Sequence, residues 1–88
     1  MNRRDFISLR TDKPDTAEVA CERLFVHYRD ALHRDEADAF LARTATELAR
    51  ARRIVLRDSF WLDERKIAAA IAPVLAEFRA RGGVVERA

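Results

Sequence analysis

The sequence predicts one small α/β domain of order ββαβαβ, an N-terminal antiparallel hairpin followed by two βαβ-type units in a mixed sheet of two or three layers. Three observations predict it. The hydrophobic period changes from two to that of a helix near Asp35. The short apolar runs Ile54-Val55-Leu56 and Val84-Val85 each follow a helical stripe. The chain's 88 residues suffice for one domain, taken as 1–88 with 1–5 as a flexible tail.

Phe6-Ile7-Ser8-Leu9-Arg10 alternates weakly and reads as the first strand. Asp12-Lys13-Pro14-Asp15 supplies turn chemistry. The stretch from about Ala17 to Tyr28 is rich in Val, Phe and Tyr and reads as a second, long strand. Its alternation puts Leu24, Val26 and Tyr28 on one face and Val19, Cys21, Phe25 and His27 on the other, so both faces expect cover. His33 then falls in the following loop.

Asp35 is the expected N-cap of the first helix, with Phe40, Leu41, Thr44, Ala45 and Leu48 as its apolar stripe. Asp63 is the expected cap of the second, with Leu62 and Ile67 at hydrophobic-staple spacing. Ile67, Ile71, Val74, Leu75 and Phe78 form the second stripe. Pro73 lies inside it and is expected to kink or split the helix. Gly82-Gly83 ends that helix before the last strand. Both crossovers should be right-handed.

Half the residues are hydrophobic (49%) and 36% are charged, the balance of a folded chain rather than a disordered one. Acids and bases nearly cancel at +2, with 15 arginines against Lys13 and Lys66. The signs are interleaved, which fits a GC-rich coding bias better than a nucleic-acid-binding stretch. The single Cys21 excludes an internal disulfide and argues for a cytoplasmic protein. No apolar run reaches membrane-spanning length.

In this layout the helix starts gather Asp30, Asp35, Glu36, Asp38, Asp58, Asp63 and Glu64 at the carboxyl edge of the sheet. Arg50, Arg52, Arg53, Arg79 and Arg81 gather at the opposite edge. The acidic edge disfavours phosphates and suits a cation or a basic partner. Each acid is also an ordinary first-turn dipole partner, which is the plainer account.

The usual catalytic constellations are not found. The two glycines follow a helix rather than open one, against a phosphate-cradling loop. On a shared strand, Cys21 and His27 would stand ~20 Å apart, too far for one zinc ion. Ser8 and Ser59 have no nucleophile-elbow context, and no catalytic triad emerges. No cofactor is expected. An Asp30, Asp58 and Asp63 cluster holding a divalent metal is the main enzymatic alternative. Weak nucleic-acid binding through Arg50, Arg52 and Arg53 is another. The leading expectation is a non-enzymatic interaction or accessory domain, with a protein partner or a second copy of the chain. Phe60 and Trp61 would anchor that contact, with Arg3 and Arg4 as further candidates.

Asn2-Arg3-Arg4-Asp5-Phe6-Ile7 resembles the twin-arginine export consensus, with Asn2 where Ser or Thr is usual. The polar stretch Arg10 to Thr16 replaces the apolar region that such a signal needs, so no export is expected. Arg52-Arg53-Ile54-Val55-Leu56, Leu62-Asp63 and the run Phe78 to Val85, with the element order, resemble the STAS domains of anti-sigma-factor antagonists. The resemblance implies a partner-binding module. Asp63 is followed by Glu64 and Arg65, so the family's phosphorylatable Ser or Thr is absent, as is its final helix.

Overall fold

The computed structural model describes residues 6–9, 15–63 and 67–88; Arg3 and Arg4 of the twin-arginine segment, the turn at 12–14 and Glu64 lie outside them. Strands β1 (Ile7–Leu9), β2 (Thr16–Ala20), β3 (Arg53–Arg57) and β4 (Val84–Arg87) form one mixed sheet in the order β1-β2-β3-β4. β1 pairs antiparallel with β2, as the hairpin reading expects, and β2, β3 and β4 are mutually parallel. Helices α1 (Cys21–His33) and α2 (Ala37–Leu48) join β2 to β3. Helices α3 (Phe60–Asp63) and α4 (Ile67–Ala80) join β3 to β4.

The register sorts the two faces of the sheet. Ala17, Ile54 and Val85 align across three strands, as do Ile7, Val19 and Leu56. Ala17, Val19, Ile54 and Leu56 are buried in the core under the helices. The other face carries the row Ser8, Glu18, Val55 and Glu86, flanked by Arg53 and Arg57. There Arg57 Nε donates to Glu18 at 3.2 Å and Arg53 pairs with Glu86. The helices contact one another, α1 with α2 and α3, and α4 with α2 and α3. Two right-handed crossovers stepping the same way along a sheet put their helices on one side. The domain therefore has two layers, helices on one face and an ion-paired open face on the other.

The long second strand is a correction. β2 ends at Ala20, and Cys21–His33 is helical. A twelve-residue strand would run ~40 Å, and the longest dimension of the molecule is 35 Å. The same residues carry a helical stripe in which Cys21, Leu24 and Ala31 are buried and Tyr28 is half-buried. Burying that stripe outweighs the strand preference of Val, Phe and Tyr, which is weak and depends on context. His33 accordingly closes α1 rather than sitting in a loop.

The α1–α2 turn overturns a second expectation. Asp35 adopts a left-handed conformation (φ 59°) and is not the cap; α2 starts after Glu36 without a side-chain cap. Asp is among the few side chains that tolerate that region. The α2 stripe holds: Phe40, Thr44 and Leu48 are buried, and Thr44 Oγ1 donates to the Phe40 carbonyl at 2.9 Å. Phe6, whose carbonyl accepts from Ala20 N–H, makes ring contacts with both His27 and Phe40. The start of α2 thus lies near the carboxyl end of β2, and α2 makes the return to the amino edge.

The second helical region is not split at Pro73: α4 runs unbroken through it. Pro73 and Ala69, four residues earlier, are both exposed, so the carbonyl deprived of a partner faces water. Asp63 belongs to α3, with its carboxylate turned to Arg87 rather than to a helix N-terminus. Leu62 and Ile67 are both buried.

Candidate functional site

The carboxyl edge of the sheet is assembled by three strand ends. Ala20 pairs with Arg57, so α1 and the β3–α3 turn leave from neighbouring points. Asp58 carries the chain into α3 with φ at 54°, the second left-handed residue other than glycine among the described residues. Trp61 N–H then donates to the Asp58 carbonyl at 3.0 Å and Leu62 N–H to the Ser59 carbonyl at 2.9 Å. This tight turn buries Leu62 and leaves Phe60 facing out. From the end of β4, Arg87 donates to Asp63 Oδ2 and to the Ser59 carbonyl. The Asp63 hydrogen bond, with lesser help from charge, pushes the Arg87 guanidinium's affinity for its proton higher still. The last strand thereby clasps α3.

On this scaffold sits an aromatic cluster. Phe60 is 52% exposed, although a phenyl ring gains by leaving water. Its ring lies 6.2 Å from that of half-buried Trp61, which in turn lies 5.7 Å from Phe25 on α1. The Arg29 guanidinium stands 5.8 Å over the Phe25 ring, within cation–π range. Phe25, Arg29 and Leu32 follow at spacings of four and three and share one stripe of α1. Leu32 and Val26 are exposed as well. The sequence pointed to Phe60 and Trp61 but not to Phe25, Val26 and Leu32, because a strand puts Phe25 and Val26 on opposite faces and leaves Leu32 beyond its end.

The edge is acidic. Glu22, in the first turn of α1, and Asp58 are exposed and make no ion pair among the described residues. Cys21 lies beneath them, fully buried, with Sγ 3.9 Å from the Val19 carbonyl. Burial pushes the thiol up to about 11; Arg87 opposes this, while Asp58 and Asp63 add to it. The thiol is neutral at physiological pH and has the character of a small core residue.

The three aspartates considered for a metal are not brought together. Asp30 lies nine residues into α1 and pairs with Arg34 at 3.3 Å, while Asp63 is held by Arg87. Among the described residues no three His, Cys, Asp or Glu side chains converge on one point. Cys21 and His27, now on one helix, remain apart in role, since His27 stacks near Phe6 at 5.3 Å.

The arginines at the amino edge divide. Arg53 opens β3 and turns to Glu86 on the open face of the sheet. Arg50 and Arg52 lie between α2 and β3, and Arg79 and Arg81 at the end of α4. Val84 N–H donates to the Arg52 carbonyl at 2.9 Å, which draws these two loops together.

Among the described residues no helix is long and apolar enough to cross a membrane. Comparison of the chain with protein families, curated proteins and solved structures finds no match.

Proposed function

We propose that the chain is a non-enzymatic, cytoplasmic docking module that binds a protein partner through the Phe25, Phe60 and Trp61 cluster. The observation that carries this reading is the exposure of Phe60, on a firmly held turn, in a chain of tilted ring contacts with Trp61 and Phe25. Aromatic side chains anchored by their neighbours lose little entropy on binding, which is why such residues dominate contact energies. The partner of best fit presents an apolar anchor framed by basic side chains. Glu22 and Asp58, exposed beside the cluster without a cationic partner among the described residues, favour that charge. The element order that resembles anti-sigma-factor antagonist domains agrees with a partner-binding role.

The test is the purified chain against captured partner, with Phe60→Ala and Trp61→Ala beside the open-face control Val84→Ala. The reading expects both aromatic variants to lose at least tenfold in affinity with an unchanged far-UV spectrum, and the control to bind normally. Equal binding by all four proteins overturns it. A partner that proves to be a second copy of the chain would replace the hetero-partner reading, and sedimentation distinguishes the two.

A further inference from the structure

The opposite edge of the domain holds a hollow of about 370 Å³ where the α2–β3 and α4–β4 connections meet. Arg52 and Arg81 line it with Phe78, Ala51 and the backbone of Gly82 and Gly83. We propose that this hollow binds a small phosphate-bearing molecule, its phosphate held between the Arg52 and Arg81 guanidinium groups and its remaining part against Phe78 and Ala51.

Charge is the first support. Four arginines elsewhere pair with acids: Arg34 with Asp30, Arg53 with Glu86, Arg57 with Glu18 and Arg87 with Asp63. Arg50, Arg52, Arg79 and Arg81 make no ion pair among the described residues. The carbonyl ends of α2 and α4 point to the same edge, and each contributes roughly −0.5 of a charge. Asp15, Glu47 and Glu77 stand at this edge too, but the lining of the hollow itself holds two arginines and no carboxylate. Two guanidinium groups on one small hollow suit an anion with several oxygens, and guanidinium groups bind phosphate bidentately.

Shape is the second. Ligand sites start at about 300 Å³, so the hollow has room for one small molecule and not for a polymer's length. A side chain at Gly83 would fall 2.3 Å from the Phe78 ring, so the absence of Cβ is what lets the backbone lie against the aromatic wall. Gly82 takes φ at 90° and has open space where a side chain would be. Both glycines keep the rim free of side-chain bulk. This site is independent of the aromatic cluster at the other edge, and either can fail without the other.

The test is a titration of the ¹⁵N-labelled chain with inorganic phosphate and with pyrophosphate, at ionic strength matched with sodium chloride. The proposal expects saturable shifts of the Gly82 and Gly83 amides, with pyrophosphate binding more tightly. Arg52→Ala with Arg81→Ala should weaken binding at least tenfold. The charge-preserving Arg52→Lys should lose part of it, and Arg53→Ala none. Shifts that never saturate, or that sodium chloride reproduces, overturn the proposal. So does an equal loss from Arg50→Ala with Arg79→Ala. Tighter, steeply salt-dependent binding of a short DNA duplex overturns it in favour of a nucleic-acid surface.

Discussion

Replacing Gly83 by Ala is the sharpest probe of how the last helix is joined to the last strand. An added Cβ would meet Phe78 Cε2 at 2.3 Å, Cδ2 at 2.5 Å and Cζ at 2.7 Å. Favourable carbon contacts lie at about 3.5–4.0 Å, so the ring or the backbone must yield by more than 1 Å. The ring cannot yield freely, because Phe78 is 3% exposed and belongs to the core cluster. The backbone is tied too, since Gly83 N–H donates to the Phe78 carbonyl at 3.1 Å and Val84 N–H to Arg52. Overpacking of this kind costs about 1–3 kcal/mol. In a domain of this size that lowers Tm by roughly 4–24 °C. The assay is thermal and urea unfolding of the wild type, Gly83→Ala, Phe78→Leu and the double variant. Phe78→Leu removes the ring edge that clashes, so the double variant should lose less than the sum of the singles. A Tm for Gly83→Ala within about 2 °C of wild type, or strictly additive losses, would refute the steric argument.

Further outcomes follow from the core and the buried thiol. Ile54, fully buried at the centre of the sheet, should cost about 2–5 kcal/mol on replacement by Ala, read as a lower urea midpoint with an unchanged slope. Cys21 keeps its proton to about 11 in the folded chain against 9.0 for a free thiol. Between those values the unfolded chain binds fewer protons, so stability falls as pH rises, by at most about 1.4 kcal/mol per pH unit. Tm should therefore drop more steeply from pH 8.5 to 10.5 in the wild type than in Cys21→Ala; parallel curves would contradict the assignment. The open-face pair Arg57 and Glu18 is over half exposed on the arginine side, and Arg57→Ala should cost under about 1 kcal/mol in unfolding experiments.

Which parts of the fold were legible in the sequence follows from how each signal arises. Phe40, Thr44 and Leu48, and Ile67, Ile71, Leu75 and Phe78, declare their helices because they recur at three and four residues while small or polar residues fill the opposite face. Ile54-Val55-Leu56 and the glycine pair mark β3 and the start of β4 for equally local reasons. Residues 21–28 satisfy both periods, two and 3.6, and the choice is made by what the segment packs on. Only the tertiary fold brings Phe25 to Trp61 and Phe6 between His27 and Phe40. The site was therefore half visible. Phe60 and Trp61 stand out as large apolar residues in a turn, whereas Phe25 joins them only once α1 exists. The separation of Arg53 from Arg52 also needed the sheet, since adjacent residues at a strand start turn to different neighbours. Asp30 looked like a neighbour of Asp58 and Asp63 only under the assumption that it followed a strand, whereas it lies deep in α1.

The central claim, docking through the aromatic cluster, is tested most directly by tagged recovery of the full chain from its native host beside Phe60→Ala and Arg52→Ala. The account predicts one stoichiometric protein that accompanies the wild type and Arg52→Ala, is lost with Phe60→Ala, and exposes basic residues around an apolar anchor. A partner retained by Phe60→Ala, or recovery of the chain alone under gentle salt, would contradict it.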